Sequence, residues 1–318
     1  MIVAEKLSKN FNDIQAVADI SFTVKEGETM VLLGTSGCGK TTTLKMINRL
    51  IEATSGSISI NGQDIFQQQP EILRRTIGYV SQNNGLFPHY TVSENIAVVP
   101  RLLGWDKVKI REHAEKLLDQ LKLPVAEFGD KYPDELSGGQ KQRVTVARAL
   151  ISDSPVLLMD EPFGALDPVT RAAVRKEFVN LPELKKKTII LVTHDVQEAF
   201  EMGDRICLMD KGRIVQSGDA KDLLFRPAND FVRSFFENQR LYLELTALKF
   251  EDIWHLLPVS DSMPDNVLES NQSLWQGMEL LSQRNVKEIA IKNLQNGEVR
   301  IGTQSSIQTA FNQIKNNI

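Results

Sequence analysis

Hydrophobic and polar positions change their period several times along this chain. Residues 21–33, SFTVKEGETMVLL, alternate on either side of Gly27, which predicts two strand-like segments joined by a turn. Two short apolar runs, Val156–Met159 and Ile189–Val192, each run into polar residues. They predict buried, parallel strands, because a strand covered on both faces has no need to alternate. Elsewhere the apolar spacing becomes i, i+3, i+7, at Leu44, Ile47 and Ile51 and again at Val144, Ala147 and Ile151. That period puts one apolar stripe on a helix. The segment ICLMDKGRIVQSG at 206–218 predicts a hairpin turning at Lys211 and Gly212, so antiparallel strands join the parallel set. Residues 94–151 carry helical pattern, including 107–122, and no strand pattern, which predicts a helical insertion in an α/β core.

Past RPANDFVRSFFENQR the pattern changes. From 266 onward it reads strand (NVLES), helix (SLWQGMELLSQR), strand (VKEIAIKN), strand (EVRIGTQ) and helix (SIQTAFNQI). The expected organisation is a domain over 1–235, a linker over 236–265 and a small α+β module over 266–318.

Composition narrows the class. With 318 residues, 42% hydrophobic and 25% charged, the chain can bury a substantial core. A net charge of −4 lacks the basic excess of a general nucleic-acid binder, so no nucleic-acid partner is expected. Cys38 and Cys207 are the only cysteines and have neither metal-site spacing nor a disulfide framework, which fits a reducing compartment. Met1 opens directly into IVAEKLSK, so no secretory leader is expected. No stretch approaches the roughly 20 apolar residues that span a bilayer. Work at a membrane would go through a partner.

Candidate chemistry begins at GTSGCGKT, residues 34–41, which fits G-x-x-x-x-G-K-[ST] between the predicted strand Met30–Leu33 and a helix beginning near Lys40. The glycines let backbone N–H groups curl around a β-phosphate, Lys40 reaches the β- and γ-phosphates, and the Thr41 hydroxyl suits Mg²⁺. Hydrolysis also needs a metal carboxylate and a group that activates water. VLLMDE at 156–161 supplies both, with Asp160 ending a buried strand to hold Mg²⁺ through water and Glu161 beyond it as general base. His194, where the next apolar run gives way to THD, stands at a matching strand end and is read as a γ-phosphate contact. His89, His113 and His255 are read as surface or packing residues. A second glycine turn, LSGGQKQR at 136–143, opens another helix but carries no phosphate-binding lysine. Ser137, Gly138 and Gly139 can therefore cap a triphosphate already held elsewhere, not cradle one.

These motifs, with ALD at 165–167, Gln82 in YVSQNNGLFP and His194 in VTHD, resemble in this order the nucleotide-binding subunit of an ABC transporter over roughly residues 1–235. The resemblance implies an ABC-type ATPase core with an antiparallel β-subdomain and a helical subdomain. It implies ATP and Mg²⁺ as ligands, held by Gly34, Thr35, Ser36, Gly37, Cys38, Gly39, Lys40, Thr41 and Thr42. It also implies a head-to-tail pair of copies, each closing Ser137, Gly138, Gly139 and Gln140 over the γ-phosphate of the other. Phe11 would stack on adenine, Gln82 would touch Mg²⁺ or the attacking water, and Asp167 would link the two sites. The stretch NNGLFPHYTVSENI, with Leu86, Phe87 and Tyr90, corresponds to the surface that receives a helix of the membrane subunit.

TTTLKMINRLIEATSGSISING and MDEPFGALDPVTR are similar to the ATPases of glycine betaine, carnitine and choline importers. The resemblance implies a peripheral place on the cytoplasmic face of the cell membrane. The partners it implies are polytopic permease subunits and, through them, an extracytoplasmic solute-binding protein. The tail resembles a single CBS module, where several such ATPases carry two, and is expected to pair with the tail of a second copy. The alternatives are an importer ATPase for another small polar solute, such as an amino acid, and a soluble ABC-type ATPase acting on nucleic acid or ribosomes. The latter group usually shows long coiled-coil insertions or fused cassettes, and this sequence has neither.

Overall fold

In the computed structural model the described residues are 1–82, 85–259 and 264–317. Asn83 and Asn84 of the expected docking stretch, Ser260 to Met263 of the expected linker, and Ile318 of the tail lie outside them. The chain divides into two units, Met1–Ser217 and Gly218–Ile318.

The first unit opens with a long antiparallel pair, β1 (Ile2–Phe11) and β2 (Ile14–Val24), turning at Asn12 with a φ of 50°. Along its second half β2 alternates buried and exposed residues, as a strand with one covered face must. After the Gly27 turn come β3 (Thr29–Gly34) and α1 (Lys40–Ile47), and then β4 (Ser55–Ile60) and β5 (Gln63–Asp64). The last two rejoin the first pair in an antiparallel sheet ordered β2-β1-β4-β5.

A short α2 (Pro70–Arg75) leads into β6 (Ile77–Val80). The expected helical insertion follows as α3 (Val92–Leu102), α4 (Lys107–Gln120), the single turn α5 (Val125–Phe128) and α6 (Gly138–Leu150). The chain then alternates through β7 (Val156–Asp160), α7 (Pro168–Val179), β8 (Thr188–Thr193) and α8 (Val196–Met202). It closes with the hairpin β9 (Arg205–Asp210) and β10 (Arg213–Gly218), whose Lys211-Gly212 turn has φ of 44° and 78°. The second sheet is ordered β10-β9-β3-β8-β7-β6, with β9, β3, β8, β7 and β6 parallel along it. Every residue of β7 and β8 is buried, which explains why these strands read as unbroken apolar runs. Parallel strands bring their C-terminal ends to one edge, where α/β folds bind ligands. Here that edge carries Gly34 of β3, Asp160 of β7 and Thr193 of β8, with Leu33 opposite Thr193 and Asp160 opposite Val192.

Within the insertion Thr91 and Glu94 cap the start of α3 with a reciprocal pair of hydrogen bonds, and a buried asparagine adds to that cap. Asn95 of α3 accepts from the Phe87 N–H at 2.8 Å and donates to the carbonyls of Phe87, Tyr90 and Thr91 at 3.1, 2.9 and 3.0 Å. Arg148 of α6 donates to Gly85 O at 2.7 Å, with its guanidinium 5.9 Å from the Phe87 ring centre. The 85–91 segment is thus held from two helices. Asn95→Ala strands these backbone groups and is expected to cost about 1–3 kcal/mol, read as a lower urea midpoint with an unchanged m-value.

The second unit begins with α9 (Ala220–Phe225), α10 (Asp230–Phe235) and α11 (Arg240–Ala247). It continues with β11 (Val267–Glu269), α12 (Leu274–Gln283), β12 (Ile289–Lys292), β13 (Val299–Gly302) and α13 (Gln304–Asn317). β11 and β12 are parallel and β13 is antiparallel to β12. The stretch read from sequence as a linker contains α11 and contributes Leu245, Leu248, Phe250, Ile253 and Leu257 to the same core as Leu274, Ile289 and Phe311. Its apolar residues lack a regular period because they enter that core from a helix end and two turns. Glu244 is fully buried there, between Arg240 at 2.7 Å and Lys315 at 2.6 Å.

Candidate functional site

The glycine loop between β3 and α1 is shaped by backbone geometry that only glycine tolerates. Gly34, Gly37 and Gly39 have φ of 154°, 77° and 105°. A Cβ at Gly34 would lie 2.2 Å from Met209 O, and one at Gly39 2.5 Å from Ala16 O. Thr35, Ser36 and Gly37 form the exposed crest, while Cys38 is buried below it. Lys40 is only 5% exposed. Its ammonium donates to Gly34 O at 2.9 Å and Thr35 O at 2.7 Å, so the charge sits inside the loop it serves.

Thr41, on the first turn of α1, donates its hydroxyl to Asp160 Oδ1 at 2.8 Å. The Tyr79 hydroxyl of β6 also bonds Asp160, a partner that sequence spacing does not point to. Burial pushes the Asp160 carboxyl above the usual carboxylate range, with the Thr41 bond and the Lys45 charge opposing and the neighbouring Glu161 charge adding to it. A buried carboxylate beside a hydroxyl, both hard oxygen donors, is a favourable setting for a small divalent cation. These residues fit Mg²⁺.

Glu161 follows directly at a φ of 45°, its N–H bonded to Val192 O at 2.9 Å. Its Oε2 meets two side chains from other strands' ends, Gln82 Nε2 at 3.1 Å and His194 Nδ1 at 3.2 Å. Two residues read separately from the sequence therefore converge on one oxygen atom of a third. A carboxylate oxygen held by two polar groups at a strand edge is placed to accept a proton from water.

The remaining sequence-predicted residues stand apart from this cluster. Ser137 caps α6, its hydroxyl accepting from Gln140 N at 3.3 Å while Gln140 Oε1 accepts from Ser137 N at 2.8 Å. Ser137 and Gly138 are exposed at a 13-residue helix's positive end. A Cβ at Gly139 would lie 2.9 Å from Thr170 Cγ2, so this glycine lets α6 pack close to α7. Asp167 caps α7, accepting from the N–H groups of Val169 and Thr170 at 3.1 Å each. These bonds, led by the Thr170 side chain, hold its carboxyl below the usual range. Phe11 ends β1 with 44% of its surface exposed, and its ring lies 5.0 Å from the Lys9 ammonium. Thr42 is half-buried on α1.

Sequence reasoning passed over Tyr79 and a polar group behind the histidine, made of Thr193, Asp195, Glu198 and Arg171. The pair Asp195 and Glu198, three apart, has the spacing of a helix N-cap, which is the signal that points to them.

Comparison with known proteins places this geometry. A family profile described as ABC transporter matches residues 17–164. The chain is 48% identical over 273 residues to the osmoprotectant import ATP-binding protein OsmV of Salmonella typhimurium, covering 84% of this chain and 72% of that protein. It is 43% identical to the glycine betaine/carnitine/choline transport ATP-binding protein OpuCA of Bacillus subtilis, over 93% of this chain and 76% of the relative. It is also 43% identical to the glycine betaine uptake system ATP-binding protein YehX of Escherichia coli, over 93% and 95% of the two chains. Among solved structures, a bacterial ABC transporter cassette described as dimeric superposes with a TM-score of 0.62 at 32% identity, over 69% of this chain and 98% of that one. The same cassette in a dimeric post-hydrolysis state bound to ADP and Pi superposes equally well, at 0.62 and 31% identity.

Proposed function

This chain belongs to the ABC transporter family, and from that premise we propose that it is the ATP-hydrolysing, energy-coupling subunit of an importer for glycine betaine, carnitine or choline-type osmoprotectants. The observation that carries the catalytic half is the convergence of Gln82 and His194 on Glu161 Oε2, one residue beyond the Thr41–Asp160 hydrogen bond. The solute class rests on the relatives' named substrates.

In this reading Lys40 exchanges its bonds to Gly34 O and Thr35 O for phosphate oxygens, while the N–H groups of residues 34–42 surround the β-phosphate. Asp160, Thr41 and Gln82 are the residues that would hold Mg²⁺, which when bound neutralises charge on the phosphate oxygens. Glu161 accepts the proton of the attacking water, Gln82 orients that water and His194 reaches the γ-phosphate. Phe11 offers its open face to adenine.

The exposed N-terminus of α6 supplies the remaining donors, and it does so to a second copy. Ser137, Gly138, Gly139 and Gln140 of one chain cap the triphosphate held by the other, and Asp167 lies between the two sites. ATP joins the copies and hydrolysis parts them, a two-state element that ligand chemistry biases. The tails, CBS-like in element order, pair between the same two copies.

Among the described residues no helix is long and apolar enough to cross a membrane. Because its relatives are import ATP-binding proteins, the chain is placed at the cytoplasmic face, peripheral to polytopic permease subunits that dock near the half-exposed Phe87 and Tyr90, and reaches a solute-binding protein through them. Affinity purification of the chain from detergent-solubilised membranes of its host is expected to recover a polytopic membrane protein, and osmotic upshift in a deletion strain should leave betaine uptake impaired. Recovery of ribosomes or nucleic acid without a membrane component would overturn the reading.

A further inference from the structure

The turn that carries His194 is closed by a small ring of hydrogen bonds. The Thr193 hydroxyl, at the end of β8, donates to Glu198 Oε2 on the first turn of α8. Thr193 Oγ1 in turn accepts from the Asp195 N–H at 3.0 Å, and Asp195 Oδ1 accepts from the Glu198 N–H at 3.1 Å. His194 is the residue these three bonds enclose. Asp195 Oδ2 also faces Arg171 of α7 at 3.5 Å, and Arg171 donates to Leu166 O at 2.9 Å, next to Asp167. Glu198 is 3% exposed, and its second oxygen is buried with no hydrogen-bond partner among the described residues. One small cavity is lined by Glu198, Arg171, Asp195 and His194 together with Glu161.

We propose that Glu198 is a positioning residue of the ATPase site, which through Thr193 and Asp195 fixes His194 against Glu161 and through Arg171 ties that turn to the segment bearing Asp167. This deepens the ATPase reading and rests on it. An ionised Glu198 can only accept, so the Thr193 hydroxyl must donate to it and keeps its lone pairs for the Asp195 N–H. A protonated Glu198 can donate instead, and the Thr193 hydroxyl is then free to rotate. The single arrangement belongs to the ionised form.

That proton is exchangeable near neutrality. Burial pushes Glu198 up to about 7; the Thr193 bond opposes, the Asp195 charge adds, and Arg175 and Arg171 oppose. Glu201 takes little part, being held by Arg175 in two bonds of 2.6 and 3.0 Å. His194 and Glu161 complete the titratable groups around the cavity.

The test is steady-state ATP hydrolysis by the full chain from pH 6 to pH 8, comparing wild type with Glu198→Gln. The wild-type kcat should exceed that of the variant roughly 10-fold at pH 8 and approach it at pH 6, with KM for ATP within about threefold throughout, because a misplaced catalytic turn costs rate more than binding. Thr193→Val should flatten the same pH dependence and Thr193→Ser should retain it. Stability supplies an independent check with the opposite sign. A carboxyl raised from 4.5 to about 7 loses folded-state stability as pH rises through that window, so the wild-type urea midpoint should fall across it more than that of Glu198→Gln. A ratio of kcat values that does not change with pH, or a Glu198→Gln enzyme with wild-type kcat at pH 8, overturns the proposal while leaving the ATPase reading intact. A wild-type chain without ATP hydrolysis overturns the ATPase reading itself.

Discussion

Replacing Glu161 with glutamine is expected to lower kcat for ATP hydrolysis by roughly 10²–10⁴-fold, the range for removing a positioned general base, while nucleotide still binds. Glutamine has nearly the same shape, and its amide oxygen can still accept from Gln82 Nε2, which lies 3.1 Å from Glu161 Oε2. What it lacks is a basic oxygen. The chain should then bind ATP and close but fail to reopen, so gel filtration with ATP should show an accumulated dimer that the wild type shows only transiently. An enzyme that loses hydrolysis without accumulating such a dimer would place the base correctly and contradict the paired-copy mechanism. One that keeps its rate would remove Glu161 from the chemistry.

Lys40→Ala should fail at an earlier step. The ammonium makes two hydrogen bonds inside the loop, and a charged hydrogen bond contributes about 1.5–3 kcal/mol. Loss of its bonds to phosphate should weaken ATP binding roughly 10- to 100-fold or more, with hydrolysis falling as a consequence. Equilibrium dialysis with labelled ATP separates the two variants. Glu161→Gln retains nucleotide without turning it over, and Lys40→Ala does not retain it at micromolar concentrations. Wild-type affinity in Lys40→Ala would mean that the loop glycines bind the triphosphate unaided.

The two variants also mark how far the sequence could be read. The glycine loop, Thr41, Asp160 and Glu161 are legible because their chemistry needs fixed local spacing next to a strand or a helix start. The parallel core is legible because strands covered on both faces become continuous apolar runs, as β7 and β8 do. Convergence is a different matter. No periodicity announces that Gln82 and His194 reach the same carboxylate oxygen, or that the Tyr79 hydroxyl reaches Asp160, because those distances are set by the order of strands in the sheet. The stretch over 240–257 was obscure for a related reason. Phe250, fully buried against a glycine of α12, enters the core from an irregular turn, and a Cβ on Gly277 would come within 2.3 Å of its ring.

Strand order has a consequence for synthesis as well. β3 pairs with β8 and β9, so both neighbours of the strand that leads into the phosphate loop come from beyond Thr188. The antiparallel sheet β2-β1-β4-β5 is complete by Asp64, whereas β3, which ends at Gly34, has no partner until β8 begins at Thr188, roughly 150 residues after it. At about 5–20 residues per second that interval lasts about 8 to 30 s. During it the apolar segment Met30–Leu33 has neither of the strands that flank it in the finished sheet, so a product cut short before β8 is expected to aggregate through it.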